Sequence, residues 1–140
     1  MNDMQRDLLN AKALLTGKRT LVLKRGDEVV FSEERGVAPL VSLLSRDFSG
    51  FCAADRVVGK GAAFCYIALS VKSVWAAVIS VPAKEILEKH GVAVYYDTLT
   101  ERIENRTRTG FCPIEAAVLN IDDTETAIAK IKQTLLELKR

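Results

Sequence analysis

Residues 55 to 70 read DRVVGKGAAFCYIALS. The stretch opens polar at Asp55 and Arg56, passes through Gly59-Lys60-Gly61, and then runs apolar without a break from Ala62 to Leu69. A glycine pair flanking a lysine, directly ahead of such a run, predicts a tight loop that delivers the chain into a buried helix. The first N–H groups of a helix have no partners within it and face whatever lies beyond the loop. With Lys60 beside them, the spot suits an anion or a polar ligand. The structural alternative is that both glycines let the loop turn tightly and approach a neighbouring backbone. The rest of the chain reads as a shell around this helix.

That shell has the composition of one domain spanning residues 1–140. Of its 140 residues 49% are apolar, enough for a real core. The 20 basic and 18 acidic residues nearly cancel, to a net charge of +2. A polyanion-binding surface is therefore not expected, and nucleic acid is an unlikely partner. No apolar run approaches the roughly 20 residues needed to span a bilayer, so no membrane partner is expected. The N-terminus, MNDMQRDLLN, lacks the apolar core of a secretory signal, which points to a cytoplasmic protein. Cys52, Cys65 and Cys112 show no C-x-x-C spacing, which speaks against a disulfide framework and a zinc ribbon. The single histidine, His90, precedes Gly91 and reads as a partner for a helix C-terminus. One histidine also makes a Ser-His-Asp or multi-histidine metal site hard to build. No metal and no cofactor is expected.

Taken outward from the buried helix, the elements alternate between helical and extended patterns. Met4, Leu8, Ala11 and Leu15 form one helical stripe over residues 3 to 16, ended by Gly17. Thr20–Arg25 and Glu28–Ser32 flank Gly26-Asp27 as a hairpin, with Leu21, Leu23, Val29 and Phe31 as its expected buried faces. Pro39 fits the first turn of a helix carrying Leu40, Leu43 and Leu44. Asp47 to Ala54, with Ser49 and Gly50, reads as a loop. Ser73–Ser80 is apolar on both faces, as a central strand covered on each side should be. Val81-Pro82 starts a short helix ending at Gly91, and Val92–Tyr96 is a further strand. Gly110-Phe111-Cys112-Pro113 leads into a short helix over residues 114–119. The last helix has Asp122 as its predicted N-cap, Glu125 three residues on, and a stripe of Ile128, Ile131, Leu135 and Leu138.

This order predicts an α/β fold with a mixed sheet in a three-layer α/β/α sandwich. It resembles the cytidine-deaminase-like fold. VVGKGAA, the strand ending in VIS, and NRTRTGFCPIE resemble a small bacterial family of uncharacterised proteins with that fold. Deaminases carry a His- or Cys-Ala-Glu triplet at the start of the buried helix and Pro-Cys-x-x-Cys at the start of the next, holding zinc and supplying a glutamate as general acid/base. Here the first position reads Gly59-Lys60-Gly61-Ala62-Ala63 and the second Val81-Pro82-Ala83-Lys84-Glu85-Ile86. Catalytic zinc needs three protein ligands, and the resemblance places none at these two positions. It therefore implies a zinc-less relative that does not deaminate by the usual mechanism.

Two helix starts remain as candidate sites. The first is Gly59-Lys60-Gly61, preceded by Asp55; it lacks the spacing and Lys-Ser/Thr ending of a P-loop. The second is Thr109-Gly110-Phe111-Cys112-Pro113-Ile114-Glu115. There Pro113 takes the first helical position, and the positive helix end would make the Cys112 thiol more reactive. Glu115 would cap backbone N–H groups or act as a base. Against this, free cysteine is among the most buried residue types, and no histidine stands near Cys112 in sequence. Asn105 and Arg106, in a basic run with Arg102 and Arg108, read either as solvated surface or as an anion clamp joining Lys60. The expectation is a shared pocket of Asp55, Gly59, Lys60, Gly61, Asn105, Arg106, Cys112 and Glu115, holding a small anionic or nucleotide-like molecule. The alternative is a non-catalytic interaction module on the same scaffold. Apolar faces around Val37 to Leu44 make a homodimer reasonable.

Overall fold

A computed structural model describes residues 2–103 and 112–139 of the chain. Helix α1 (Asp3–Leu14) precedes a hairpin of β1 (Leu21–Arg25) and β2 (Glu28–Ser32), then a short α2 (Ala38–Ser42). Next come β3 (Cys52–Val58), α3 (Lys60–Leu69), β4 (Ser73–Ser80), α4 (Val81–Lys89) and β5 (Ala93–Thr100). Helices α5 (Pro113–Val118) and α6 (Thr124–Leu138) complete the described residues. The five strands form one mixed sheet in the order β2-β1-β3-β4-β5. β1 runs antiparallel to both β2 and β3, whereas β3, β4 and β5 are parallel and joined through α3 and α4.

Alternation along the central strands separates two apolar layers. Leu21, Leu23, Ala53, Val74 and Ala76 face a large cluster shared with α2 through α6. Val22 and Ala54 face the other way and meet Ala11 of α1, with Trp75 alongside. Helices therefore cover both faces of the sheet, as an α/β fold with buried parallel strands requires. The centre of the larger layer is α3, whose Ala63, Phe64, Cys65 and Tyr66 are fully buried. Burying a side chain as large as Phe64 contributes about 1.5–3 kcal/mol, so this helix anchors the layer.

Several details depart from the sequence reading. The segment read as a loop, Asp47 to Ala54, ends inside β3, which continues to Val58 and pairs with both β1 and β4. Its sequence, CAADRVV, is poor in the bulky β-branched residues that mark a strand, and position between two partners overrides that propensity. Val29 and Phe31 are exposed, because α1 does not reach over the edge strand β2; Val30 is the β2 residue packed on the core. The Val37–Leu44 face is spent in the core: Val37 and Leu40 are buried, and Leu43 and Leu44 pack against them. It is thus not the open apolar face that made a dimer reasonable there. The α6 N-cap is Asp123, accepting from the Thr126 N–H at 2.9 Å, not Asp122. Leu138, at the end of the predicted stripe, is exposed. No helix among the described residues is long and apolar enough to cross a membrane.

Candidate functional site

Where β3 hands over to α3, the chain opens a cavity of about 630 Å³. Its walls are mostly apolar, with Leu21, Val37, Val57, Ala62 and Ile114 among them. Its location fits the rule that ligands of α/β sheets collect beyond the carboxyl ends of parallel strands. Its polar lining comprises Thr20, Arg35, Asp55, Arg56, Cys112 and Glu115, with Gly59 at the start of α3.

Asp55 is buried, on the same face of β3 as the large core layer. Its Oδ2 accepts from the Tyr66 hydroxyl of α3 at 2.6 Å, and its Oδ1 accepts from the Val57 N–H at 3.2 Å. Burial pushes this carboxyl up to about 6, and the two hydrogen bonds only partly offset the loss of water. Among the described residues no cation pairs with it. The neighbouring Arg56 guanidinium instead binds the carbonyls of Arg19 at 2.7 Å and Gly17 at 3.0 Å, tying β3 to the loop after α1. A carboxylate offers about four acceptor sites, so Asp55 keeps capacity toward the cavity.

Glu115 sits against the start of α3. Its Oε2 accepts from the Lys60 N–H at 2.9 Å, and the Gly61 N–H adds a weaker pull. Burial raises its proton affinity, more than those N–H groups and the Lys60 charge lower it. Both glycines follow from this docking. A Cβ at Gly59 would fall on the Glu115 carboxylate, 2.5 Å from its Cδ, and one at Gly61 would overlap Ile114. The anion that the start of α3 attracts is the chain's own Glu115. In return, the Lys60 ammonium donates to the Leu119 carbonyl at 3.0 Å, at the far end of α5, with Asp122 at 4.0 Å. The two helices thus cap each other, consistent with opposite charges preferring opposite helix ends.

Residues 10–135 match the TM1506 family, a domain of unknown function, DUF1893. The chain belongs to that family. A crystal structure of a DUF1893 family protein from Thermotoga maritima is 25% identical, with a TM-score of 0.80, covering 98% of this chain and 91% of that one. No curated protein matches the chain.

In this DUF1893 domain the expected site comes together only in part. Asp55, Gly59, Cys112 and Glu115 share the cavity. Lys60 does not point into it: its ammonium serves α5, and only its backbone faces Glu115. Gly61 lies behind, against Ile114. Asn105 and Arg106 lie outside the described residues. Cys112 is the N-cap of α5, half-buried, with no side-chain capping bond; Cys52 and Cys65 are fully buried. Two members of the site escaped the sequence reading. Tyr66 passed as one more large residue of an apolar run, although its hydroxyl needed a partner once buried. Arg35, exposed at the cavity and without a hydrogen bond or ion pair to the described residues, sat in an unremarked Arg-Gly turn.

Proposed function

We propose that this DUF1893 domain binds a small nucleotide-like molecule in the cavity ahead of α3, on a zinc-less deaminase-like scaffold. The observation that carries the reading is Asp55, a buried carboxylate with no cationic partner among the described residues, on the wall of a mostly apolar cavity. Such a group favours a ligand whose inner end donates hydrogen bonds and whose flat body fills the walls. An anionic group on the ligand would sit outward at Arg35, whose fork suits phosphate or carboxylate. Lys60 has no part in this reading.

The scaffold reading is supported by the run β3-α3-β4-α4-β5, whose parallel strands start α3 and α4 on the same edge of the sheet. Among the described residues the donors there do not fit zinc. Ser80 Oγ caps α4 by accepting from the Ala83 N–H at 3.2 Å, and Glu115 is engaged with the start of α3. The three free cysteines support a reducing, cytoplasmic setting. Cys112 puts a thiol on the cavity wall, but Glu115 is committed as a cap and is no free base for it, which favours binding over cysteine catalysis.

A thermal-shift screen across nucleosides, nucleotides and phosphorylated metabolites tests the reading, because a ligand of the native state raises the melting temperature. At least one nucleotide-like compound should shift the parent protein, and the shift should vanish in Asp55→Ala while persisting in Lys60→Met. No shift across the panel, or one indifferent to Asp55, would overturn it.

A further inference from the structure

The carboxylate of Asp55 reaches the cavity with part of its accepting capacity already used. The Tyr66 hydroxyl occupies one site on Oδ2, and the Val57 N–H occupies one on Oδ1. The adjacent Arg56 N–H is spent elsewhere, on the Thr20 carbonyl at 3.2 Å. A carboxylate has about four acceptor sites, so one remains on each oxygen. The bonds come from α3 and β3 and hold the carboxylate in one orientation. Above about 6 the group is ionised and only accepts.

This fixed pair of acceptors selects a flat ligand with two neighbouring N–H donors on one edge. Among the common nucleobases guanine has that edge, with its ring N1–H beside its exocyclic amino group. Adenine and cytosine set their amino group beside a ring-nitrogen lone pair, and uracil and thymine flank a single N–H with two carbonyl oxygens. Each of these turns a lone pair toward the carboxylate, between mostly apolar walls where an unmade hydrogen bond is costly. A guanidinium also carries paired donors, but it has five N–H groups to satisfy. The other carboxylate on the wall, Glu115, already accepts from the Lys60 N–H at 2.9 Å, so the surplus goes unmet.

Arg35 is held at the same cavity by the end of β1. The Thr20 hydroxyl donates to the Glu34 carbonyl at 2.5 Å, which fixes the chain just ahead of Arg35. A base seated on Asp55 therefore leaves its phosphate to this exposed guanidinium rather than to walls that carry two buried carboxylates.

We propose that the nucleotide held in this cavity is a guanine nucleotide, whose N1–H and exocyclic amino group donate to the two oxygens of Asp55. The inference rests on the nucleotide-binding reading above and deepens it.

Isothermal titration calorimetry tests it, at a pH well above the folded value of about 6. The panel is the monophosphates of guanosine, inosine, xanthosine, adenosine, cytidine and uridine, with arginine as a source of paired donors that is not a nucleotide. The parent protein should bind guanosine monophosphate most tightly. Inosine monophosphate lacks only the exocyclic amino group, and losing one hydrogen bond to a charged acceptor should weaken it about tenfold to a hundredfold. Asp55→Asn keeps the shape of the side chain and replaces one acceptor by a donor. It should prefer xanthosine monophosphate to guanosine monophosphate, because xanthine has a carbonyl where guanine has its amino group. A substitution that merely loosened the fold would weaken every nucleotide alike. A parent that binds another monophosphate as tightly as that of guanosine, or an Asp55→Asn variant that does not turn toward xanthosine, would overturn the guanine assignment and leave a nucleotide site standing. Binding of none of the six, or of arginine alone, would overturn both.

Discussion

Gly59→Ala is a one-carbon change whose cost follows directly from the mutual capping of α3 and α5. Gly59 has φ −94°, so alanine meets no backbone strain there. Alone, that change would stabilise by about 0.4–1 kcal/mol through the unfolded chain. The new Cβ, however, falls on the Glu115 carboxylate, which must withdraw and release the Lys60 N–H. A hydrogen bond to a charged group is worth about 1.5–3 kcal/mol. The net expectation is a loss of about 1.5 kcal/mol, a fall in melting temperature of roughly 4–6 °C for a domain of this size. The assay is a double-mutant cycle by denaturant unfolding. Once Glu115→Ala has removed the carboxylate, Gly59→Ala should cost less than about 0.5 kcal/mol, leaving a coupling of about 1.5 kcal/mol. Any penalty for alanine as an N-cap appears in both arms and cancels. If Gly59→Ala costs the same with and without Glu115, the carboxylate does not hold the start of α3 and the reasoning fails.

Asp55 makes stability depend on pH in the unusual direction for an acid. Its folded carboxyl keeps a proton up to about 6 whereas the ordinary value is 3.8, so its contribution is full below 3.8 and is lost as pH rises to about 6. The difference corresponds to about 3 kcal/mol. Asp55→Asn should therefore gain stability relative to the parent as pH rises from 4 to 7, and parallel unfolding curves would count against a buried carboxylate there. Lys60→Met should lower stability by about 1.5–3 kcal/mol through the lost bond to the Leu119 carbonyl, yet leave any ligand-induced thermal shift in place; loss of the shift would return the ammonium to the site. Among the three thiols, Cys112 alone should react with an alkylating reagent in the native protein, since Cys52 and Cys65 are fully buried and burial pushes Cys65 up to about 12. Peptide mapping that finds Cys52 modified as fast as Cys112 would contradict the structure.

The mixed sheet with helices on both faces was legible because its markers are local. The apolar run after Gly61, the two-sided strand Ser73–Ser80 and the Gly26-Asp27 turn each carry their own signal within a few residues. β3 was not legible because alanines, an aspartate and an arginine become a strand only through β1 and β4, which flank it in space. The two glycines were legible as a close approach, but not what approaches. Glu115 lies 55 residues from Lys60, and nothing in sequence pairs them. For the same reason the carboxylate that meets the start of α3 could not be named from the sequence. Asp55 stood out in the sequence as a polar residue ahead of the apolar run, while its hydroxyl partner Tyr66 was hidden in the apolar pattern of a helix it helps to bury.

The span between Lys60 and Glu115 also bears on how the chain is made. While the polypeptide is still leaving the ribosome, the sheet through β5 can assemble with the start of α3 still lacking its carboxylate. Only after residue 115 has emerged can the cap close, at the entropic cost of bringing together the ends of a long loop. A nascent chain stopped before that point should be open to protease at the β3–α3 junction, and protection there should arrive in one step with the synthesis of α5.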